Sequence, residues 1–311
     1  MSRIHEALKK AAEERNAKPG DGSVLEPVEI VGQDSSLESI PATATAPTRR
    51  PLGPKGDPKP LSFEEVIERS CAGNWSIKPS ASVFSAHMQH NLGAEKFRTL
   101  RSRLYQIASA QPLKKLLITS STPAEGKTFV AANLAQSFIR QAGRRVLLID
   151  SDLRASRLHL HLGAQGKPGL SEYLSGDCDE CQIIQVGPDK NLCLIPGGSE
   201  VSNPSELLHS DRMRQLLDRM AKIFDWVILD SPPAIAVHDA SILADMCDGT
   251  LFVVRAGSTD FELAEKASQE FRDKNLLGVV LNRVDKNETY GDYYYGYGYG
   301  SQKSSDGETD S

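Results

Sequence analysis

The sequence predicts an α/β protein in which helices cover both faces of a mostly parallel central sheet. From about Leu92 onward, short and uninterrupted apolar runs alternate with longer segments of helical periodicity. A strand in a parallel sheet is buried on both faces, and this gives it a continuous apolar sequence. Several of these runs also end directly in polar or charged residues. In a parallel sheet such residues meet at one edge, which is where ligands bind.

Apolar runs mark the predicted strands, and segments with a period near 3.6 residues mark the predicted helices. The strands are predicted at 115–120, 145–150, 192–195, 226–230, 249–254 and 277–281. The helices are predicted at 92–108, 128–141, 204–220, 238–247 and 261–274.

Composition divides the chain into five parts. Residues 1–16 have the pattern of a short helix, and residues 17–60 form a polar, proline-rich run with few large apolar residues. Such a run buries too little surface to offset its ordering entropy, so we expect a disordered linker. Residues 61–91 are a lead-in of undecided role, in which Phe63, Val66, Ile67 and Trp75 are compatible with a small helical segment. The α/β domain is predicted at 92–286, and 287–311 is predicted to be a flexible tail.

Charge and hydropathy narrow the possible partners. A formal net charge of -5 argues against non-specific nucleic-acid binding, which needs a concentrated positive surface. The sequence has no run near the ~20 apolar residues that cross a bilayer, and its charged N-terminus lacks the apolar core of a secretory signal. We therefore expect a cytoplasmic protein with no span of its own, so that any membrane connection comes through a partner.

Cys178 and Cys181 form a C-x-x-C pair, which is a pattern found in metal sites and redox sites. The sequence has no second pair at zinc-ribbon spacing and no histidine close to this one. We interpret both residues as reduced thiols without a special role.

The segment 121–128, with the sequence STPAEGKT, lies between a predicted strand and a predicted helix. This is the context of a P-loop, whose backbone amides surround phosphates. Lys127 would neutralise charge between the β- and γ-phosphates, and the Thr128 hydroxyl would hold Mg²⁺. Ser121 stands where the first glycine of the motif is expected, so an ordinary glycine-containing turn is the alternative. The fold class is accordingly a P-loop NTPase.

Acidic residues stand at the carboxyl ends of two further predicted strands, 145–150 and 226–230. Asp150 and Asp152 follow one apolar run, with Arg154 two residues further on, and Asp230 ends the run 226–230 before two prolines. Carboxylates that close repel one another, so a cation between them and a phosphate would explain their pairing. A solvated acidic turn is the alternative for a single aspartate, but two acidic strand ends and the strand that leads to Lys127, all at one edge, indicate a Mg²⁺–nucleotide site.

Together these segments resemble the bacterial tyrosine kinase (BY-kinase) family, the CpsD/CapB-like autokinases associated with exopolysaccharide in the MinD/ParA branch of P-loop proteins. The resemblance runs from about Leu92 to the C-terminus, and the family calls the three segments Walker A, A′ and B. ParA- and MinD-like ATPases carry a signature lysine five positions before the P-loop lysine. Thr122 occupies that position here, as in the kinase variant.

The resemblance implies in-line transfer from ATP, with Mg²⁺, and assigns roles to residues of this chain. Lys127, Asp150, Asp152 and Asp230 would be catalytic, with Asp150 as the candidate base, although the two A′ aspartates can exchange roles. Thr128, Asp152 and Asp230 would hold the metal. Arg255 is a further candidate near the nucleotide or at an interface. The expected nucleotide contacts are Glu125, Gly126, Lys127, Thr128, Phe129, Arg154 and Asn282.

Glu95, Arg98 and Arg101 match the family's E-x-x-R-x-x-R motif, which the resemblance connects with assembly into a ring of identical subunits. On a helix these residues occupy positions i, i+3 and i+6, so they can present a charged stripe to a neighbour. An intrahelical Glu–Arg pair on a solvated face is the alternative.

Six of the eight tyrosines lie within ten residues of the tail: Tyr290, Tyr293, Tyr294, Tyr295, Tyr297 and Tyr299. In the resembling family such a cluster is the autophosphorylation substrate. A sticky aromatic tail and a stacking platform for nucleic acid are the alternatives, but the latter usually has arginine beside its aromatic residues.

The resemblance further implies control of capsule or exopolysaccharide synthesis and export, with a membrane co-polymerase that activates the kinase and places it at the inner membrane. The competing functions are a ParA/MinD-like ATPase switch without kinase activity and a scaffold that only binds nucleotide.

Overall fold

The computed structural model describes residues 61–73, 75–84 and 92–284 of the 311-residue chain. The predicted N-terminal helix, the predicted linker and the tyrosine-rich tail lie outside these residues.

A single mixed sheet runs through the described residues, in the order β1-β4-β5-β3-β6-β2-β7-β8. Neighbouring strands are parallel except for β4 and β5, which are antiparallel. The strands are β1 Cys71–Ala72, β2 Lys115–Ser120, β3 Val146–Asp150, β4 Gln185–Val186, β5 Leu192–Ile195, β6 Trp226–Asp230, β7 Gly249–Arg255 and β8 Leu276–Asn282. The predicted fold class is therefore confirmed, and each predicted strand is present within a residue of its expected ends.

Helices pack on both faces of this sheet. They are α1 Phe63–Arg69, α2 Leu92–Ala110, α3 Lys127–Ile139, α4 Leu158–Leu162, α5 Leu170–Ser175, α6 Glu180–Ile183, α7 Pro204–Leu208, α8 Asp211–Ile223, α9 Asp239–Ala244 and α10 Phe261–Gln269. No helix among the described residues is long and apolar enough to cross a membrane.

Alternate residues of the central strands supply two separate cores. In β2, Leu117 belongs to one core while Leu116 and Ile118 belong to the other. The same alternation separates Leu147 from Leu148 in β3. Because successive side chains of a strand point to opposite faces, both faces need a helical cover, and this is why the strands read as continuous apolar runs.

Helix α3 forms the centre of one core and begins at the P-loop. Its residues from Val130 to Phe138 are buried, and several of them are alanine or serine, so the helix can lie close to the sheet. Phe138 stacks on Trp226 of β6, with ring centroids 4.2 Å apart. This stack joins the C-terminal end of α3 to the start of β6, and Lys127 and Asp230 lie at the opposite ends of the same two elements.

One predicted helix changes, and the structure gives a role to the lead-in, which the sequence left undecided. The predicted helix 204–220 is two helices, because the Ser210 hydroxyl accepts a hydrogen bond from the Met213 amide and starts α8 as a new helix. The lead-in forms a small helix and contributes to the core. In α1, Val66 is fully buried and Phe63 packs edge-on against Phe224, with ring centroids 5.6 Å apart. The strand β1 that follows was missed, because a two-residue strand has no detectable period.

Helix α1 should therefore support the stability of the whole domain. We expect Phe63→Ala to lower the free energy of unfolding by about 3 kcal/mol, since it removes a buried ring. Glu68→Ala, at an exposed position of the same helix, should change it by less than about 0.5 kcal/mol. Chemical denaturation of both variants measures the difference, and equal stability of the two would show that α1 is not part of the folded unit.

Candidate active site

The P-loop connects β2 to α3 through residues 121–126 and has an unusual backbone. Ala124 and Gly126 have positive φ angles of 64° and 99°. A Cβ atom on Gly126 would overlap the side-chain amide of Asn282, so this position needs glycine for space as well as for conformation. Gly126 provides no side chain to cap α3. The first amides of the helix are therefore available to an anion.

Glu125 stabilises this loop from inside. Its side chain is 2% exposed, and its carboxylate accepts hydrogen bonds from the Ser121 hydroxyl at 2.9 Å and the Thr122 amide at 2.7 Å. The Thr259 hydroxyl also donates to it. Glu125 was predicted as a nucleotide contact, but its carboxylate is engaged within the protein. Its ties to Ser121 also show how a serine is accommodated where the motif expects glycine.

Asp150 and Asp230 lie opposite one another at the ends of adjacent parallel strands. They are register partners in the pairing of β3 with β6, and both side chains are buried. The Thr128 hydroxyl and the Lys127 ammonium group are both close enough to Asp230 to lower the pKa of its carboxyl group. The tertiary structure thus brings together four residues that the sequence predicted separately.

Burial is the main influence on the pKa values of both aspartates. It raises the pKa of Asp150 to about 6, although hydrogen bonds from Ser156 and Leu158 oppose the shift. Burial and the nearby Asp150 charge raise the pKa of Asp230 to about 8, against the opposing effects of Thr128 and Lys127. Two buried carboxylates without a cation disfavour the doubly charged state.

The two A′ aspartates occupy different surroundings. Asp150 Oδ2 accepts hydrogen bonds from the Ser156 hydroxyl at 2.7 Å and from the Leu158 amide at 2.9 Å, so it organises the turn that leads into α4. Asp152 is partly exposed, and its Oδ1 accepts from the Ala155 amide at 3.0 Å. Of the two A′ carboxylates, Asp152 is therefore the one that a molecule entering from solvent reaches more easily.

Arg154 connects the A′ turn to two helices. Its Nε donates to Asp239 of α9 at 2.8 Å, and its terminal nitrogen donates to the Ser205 hydroxyl of α7 at 2.8 Å. Asp239 is buried, so this ion pair is partly removed from solvent. Sequence reasoning missed Asp239, because a single aspartate at a helix start gives no signal of a distant partner. Contact between Arg154 and the nucleotide stays a prediction.

Asn282 and Phe129 complete the predicted nucleotide contacts. The side-chain amide of Asn282 donates to the Glu125 carbonyl oxygen at 2.8 Å, so the end of β8 lies beside the P-loop. Phe129 is half-buried and packs edge-on against Phe97, with ring centroids 6.2 Å apart.

The residues present fit Mg²⁺. Asp230 Oδ1 is buried and has no hydrogen-bond partner among the described residues, next to the Thr128 hydroxyl and the Asp150 carboxylate. The described residues form no cluster of three or more side chains of the types that make an all-protein metal cage. Mg²⁺ usually binds one or two carboxylates together with substrate phosphates and water, so an all-protein cage is not required.

The motif residues on α2 form contacts within the chain. Arg98 pairs with Glu95 one turn earlier, and both side chains are substantially exposed. Arg101 donates to the Ser137 carbonyl oxygen at the buried end of α3. The intrahelical Glu–Arg pair thus exists, while a role of this stripe between subunits stays a prediction.

Cys178 and Cys181 are both free thiols. Cys181 is buried, and burial raises its pKa. A thiol in this state is a poor nucleophile and a poor metal ligand.

Comparison with known proteins gives consistent results. Residues 116–296 match the family model of the CobQ/CobB/MinD/ParA nucleotide-binding domain. The chain is 37% identical over 227 residues to the tyrosine-protein kinase YwqD of Bacillus subtilis, and the match covers 72% of this chain and 94% of YwqD. It is also 37% identical over 227 residues to the putative tyrosine-protein kinase EpsB of Ralstonia nicotianae, where it covers 70% of this chain but 30% of EpsB.

Among solved structures, the fold is similar to the kinase domain of the Escherichia coli tyrosine kinase ETK. The TM-score is 0.59 at 36% sequence identity, over 66% of this chain and 81% of the ETK chain.

The buried aspartate pair should make the nucleotide-free protein pH-sensitive. A carboxyl group whose pKa is raised by folding contributes stability at low pH and loses that contribution as pH rises through its folded pKa. With values of about 6 for Asp150 and about 8 for Asp230, stability should fall as pH rises from 5 to 8. Asp230→Asn should flatten this profile and stabilise the nucleotide-free protein at pH 8 by about 2 kcal/mol or more. Denaturant titrations across this pH range measure the effect.

Asp177→Asn provides the control, since Asp177 is an exposed carboxylate away from this site. A profile of Asp230→Asn that is as steep as that of the unaltered protein would contradict the repulsion inferred here.

Proposed function

Because this chain belongs to the bacterial tyrosine kinase family, within the CobQ/CobB/MinD/ParA class of nucleotide-binding domains, we propose that it transfers the γ-phosphoryl group of ATP to tyrosines of its own C-terminal segment. The observation that carries the proposal is the meeting of Lys127, Thr128, Asp150 and Asp230 at one edge of the sheet. Transfer of a phosphoryl group depends mainly on positioning and charge stabilisation, and these residues supply both.

Each part of the site has a distinct task in this proposal. The amides of the P-loop and the Lys127 ammonium group hold the β- and γ-phosphates. Thr128 and Asp230 would hold Mg²⁺ together with an A′ aspartate, and the ion would neutralise phosphate charge when bound. Asn282 contacts adenine from the end of β8, where it adjoins the P-loop.

The acceptor tyrosine needs a group that takes its proton, because a phenol with a pKa of ~10 is protonated at pH 7. Of the two open assignments, the geometry favours Asp152 as this base. Asp152 is partly exposed, whereas Asp150 is fully buried, faces Asp230 and holds the A′ turn. In this arrangement Asp150, rather than Asp152, would help to hold the metal.

The location of the tail supports autophosphorylation. Strand β8 ends at Asn282, whose side chain contacts the P-loop. The segment from Tyr290 to Tyr299 follows within a few residues. The tyrosines therefore follow a strand end that lies beside the P-loop. In this proposal the tail reaches the active site of a neighbouring subunit.

Assembly and cellular role form the broader part of the proposal. Glu95, Arg98 and Arg101 would join subunits into a ring, and the exposure of Glu95 and Arg98 leaves them accessible to a neighbour. The kinase would act on capsule or exopolysaccharide export from the cytoplasmic side of the inner membrane, through a membrane co-polymerase that activates it. The match to EpsB covers 30% of that relative's length, so EpsB carries segments beyond the matched domain.

Kinase activity predicts phosphotyrosine on the tail. After incubation of the full chain with Mg·ATP, with and without the cytoplasmic segment of an activating partner, mass spectrometry should find phosphate on residues between Tyr290 and Tyr299. Lys127→Met should abolish it, because the loss of the ammonium group leaves phosphate charge uncompensated. A tail without phosphate would contradict the proposal. ATP consumption without phosphotyrosine would favour the ParA/MinD-like switch, against which Thr122 argues.

The assignment of the base predicts different defects for the two A′ aspartates. Asp152→Asn should slow phosphoryl transfer by ~10²-fold or more, while Mg·ADP affinity stays within a few fold, because only the proton acceptor is lost. Asp150→Asn should weaken Mg·ADP binding as well, since it alters the buried pair. Single-turnover rates and calorimetric affinities separate these effects, and the reverse pattern would identify Asp150 as the base.

A further inference from the structure

Glu125 is the centre of a hydrogen-bond network that joins three segments of the chain, two through its carboxylate and the third through its backbone carbonyl oxygen. The carboxylate accepts from Ser121 and Thr122 of its own loop, and from Thr259, which is 134 residues away in sequence. Both Glu125 and Thr259 are buried, at 2% and 6% exposure. A buried carboxylate needs such donors, because an uncompensated charge in the interior is costly.

Thr259 is itself held in a fixed orientation by the loop that follows β7. Its hydroxyl accepts a hydrogen bond from the Arg255 amide at 3.1 Å, and its own amide donates to the Arg255 carbonyl oxygen at 3.1 Å. The hydroxyl thus accepts from an amide and donates its single proton to Glu125. Donation to a charged acceptor is stronger than donation between neutral groups.

The end of β8 adds a second tie to the same residue. Asn282 donates from its side chain to the Glu125 carbonyl oxygen at 2.8 Å, and its own carbonyl oxygen accepts from the Ala256 amide at 2.9 Å. The loop after β7, the end of β8 and the P-loop are thus connected through Glu125.

The P-loop needs this external support. Ala124 lies in the left-handed region with a φ of 64°, which is unfavourable for a residue other than glycine. The first position of the motif is Ser121 rather than glycine, and its hydroxyl is bound to Glu125. Without these ties the loop would have lower-energy conformations available, in which its amides no longer surround a phosphate.

We propose that Thr259 is a positioning residue of the nucleotide site, which holds the P-loop in its phosphate-binding conformation through the carboxylate of Glu125. The inference rests on nucleotide binding by this site and does not require transfer to tyrosine. Glu125 also connects the P-loop with Asn282, the residue proposed to contact adenine, because both hydrogen-bond to it.

Four variants of the full chain test the proposal: Thr259→Val, Thr259→Ser, Glu125→Gln and Thr250→Val. Valine keeps the shape of threonine but removes its hydroxyl, and serine restores the hydroxyl. Thr250 is the matched control, since it is fully buried in β7 and its hydroxyl donates to the Lys274 carbonyl oxygen, away from the P-loop.

Calorimetry with Mg·ADP is expected to show ~10-fold weaker binding for Thr259→Val and Glu125→Gln, which is the scale of one lost hydrogen bond to a charged group. Thr259→Ser and Thr250→Val should bind within about two-fold of the unaltered protein, although the thermal stability of Thr250→Val should fall as much as that of Thr259→Val. Hydrogen exchange should accelerate at residues 121–126 in Thr259→Val and stay unchanged in Thr250→Val.

Unchanged ADP affinity in Thr259→Val, or an equal loss in Thr250→Val, would overturn the proposal, because the effect would then be absent or only structural. The readout is ADP binding, so it is separate from the kinase assay. Weakened ADP binding by Thr259→Val in a protein without phosphotyrosine would support the positioning role and contradict the kinase proposal alone.

Discussion

The register of β3 against β6 places two buried carboxylates side by side, and the active site depends on this placement. Asp150 and Asp230 are paired across adjacent parallel strands and are removed from solvent. Neither is neutralised by an arginine partner, and one oxygen of Asp230 has no hydrogen-bond partner among the described residues. A pair of this kind is unfavourable in the nucleotide-free protein and becomes favourable with a divalent cation. The fold therefore contains a carboxylate pair that does not contribute to the stability of the nucleotide-free protein.

The surrounding structure keeps that unfavourable pair in position. The Phe138–Trp226 stack holds the C-terminal end of α3 against the start of β6, while Lys127 and Thr128 act on Asp230 from the start of the helix. On the other side, Asp150 is bound to Ser156 and Leu158, and the A′ turn is tied to α9 through Arg154 and Asp239. The P-loop is held in turn by Glu125. Each loop at this edge therefore has its own anchor in the core.

Local sequence was a good guide wherever a regular period or a short-range motif carried the information. The strands were predicted within a residue of their ends, because burial on both faces gives continuous apolar runs. Short elements such as β1 and β4 were missed, since two residues are too few to show a period. The predicted helix 204–220 was wrong as a single helix, because the cap at Ser210 restarts the backbone within an otherwise suitable pattern.

The sequence by itself determined the fold class, the P-loop and the acidic strand ends, because each depends on residues that are close along the chain. Only the tertiary structure decided which residues from distant segments meet. It paired Asp150 with Asp230, Arg154 with Asp239 and Glu125 with Thr259. Such contacts follow from strand order and loop packing. They cannot be predicted from sequence, because a hydrogen bond or a charge pair acts over a few ångströms in space, whatever the separation of its partners along the chain.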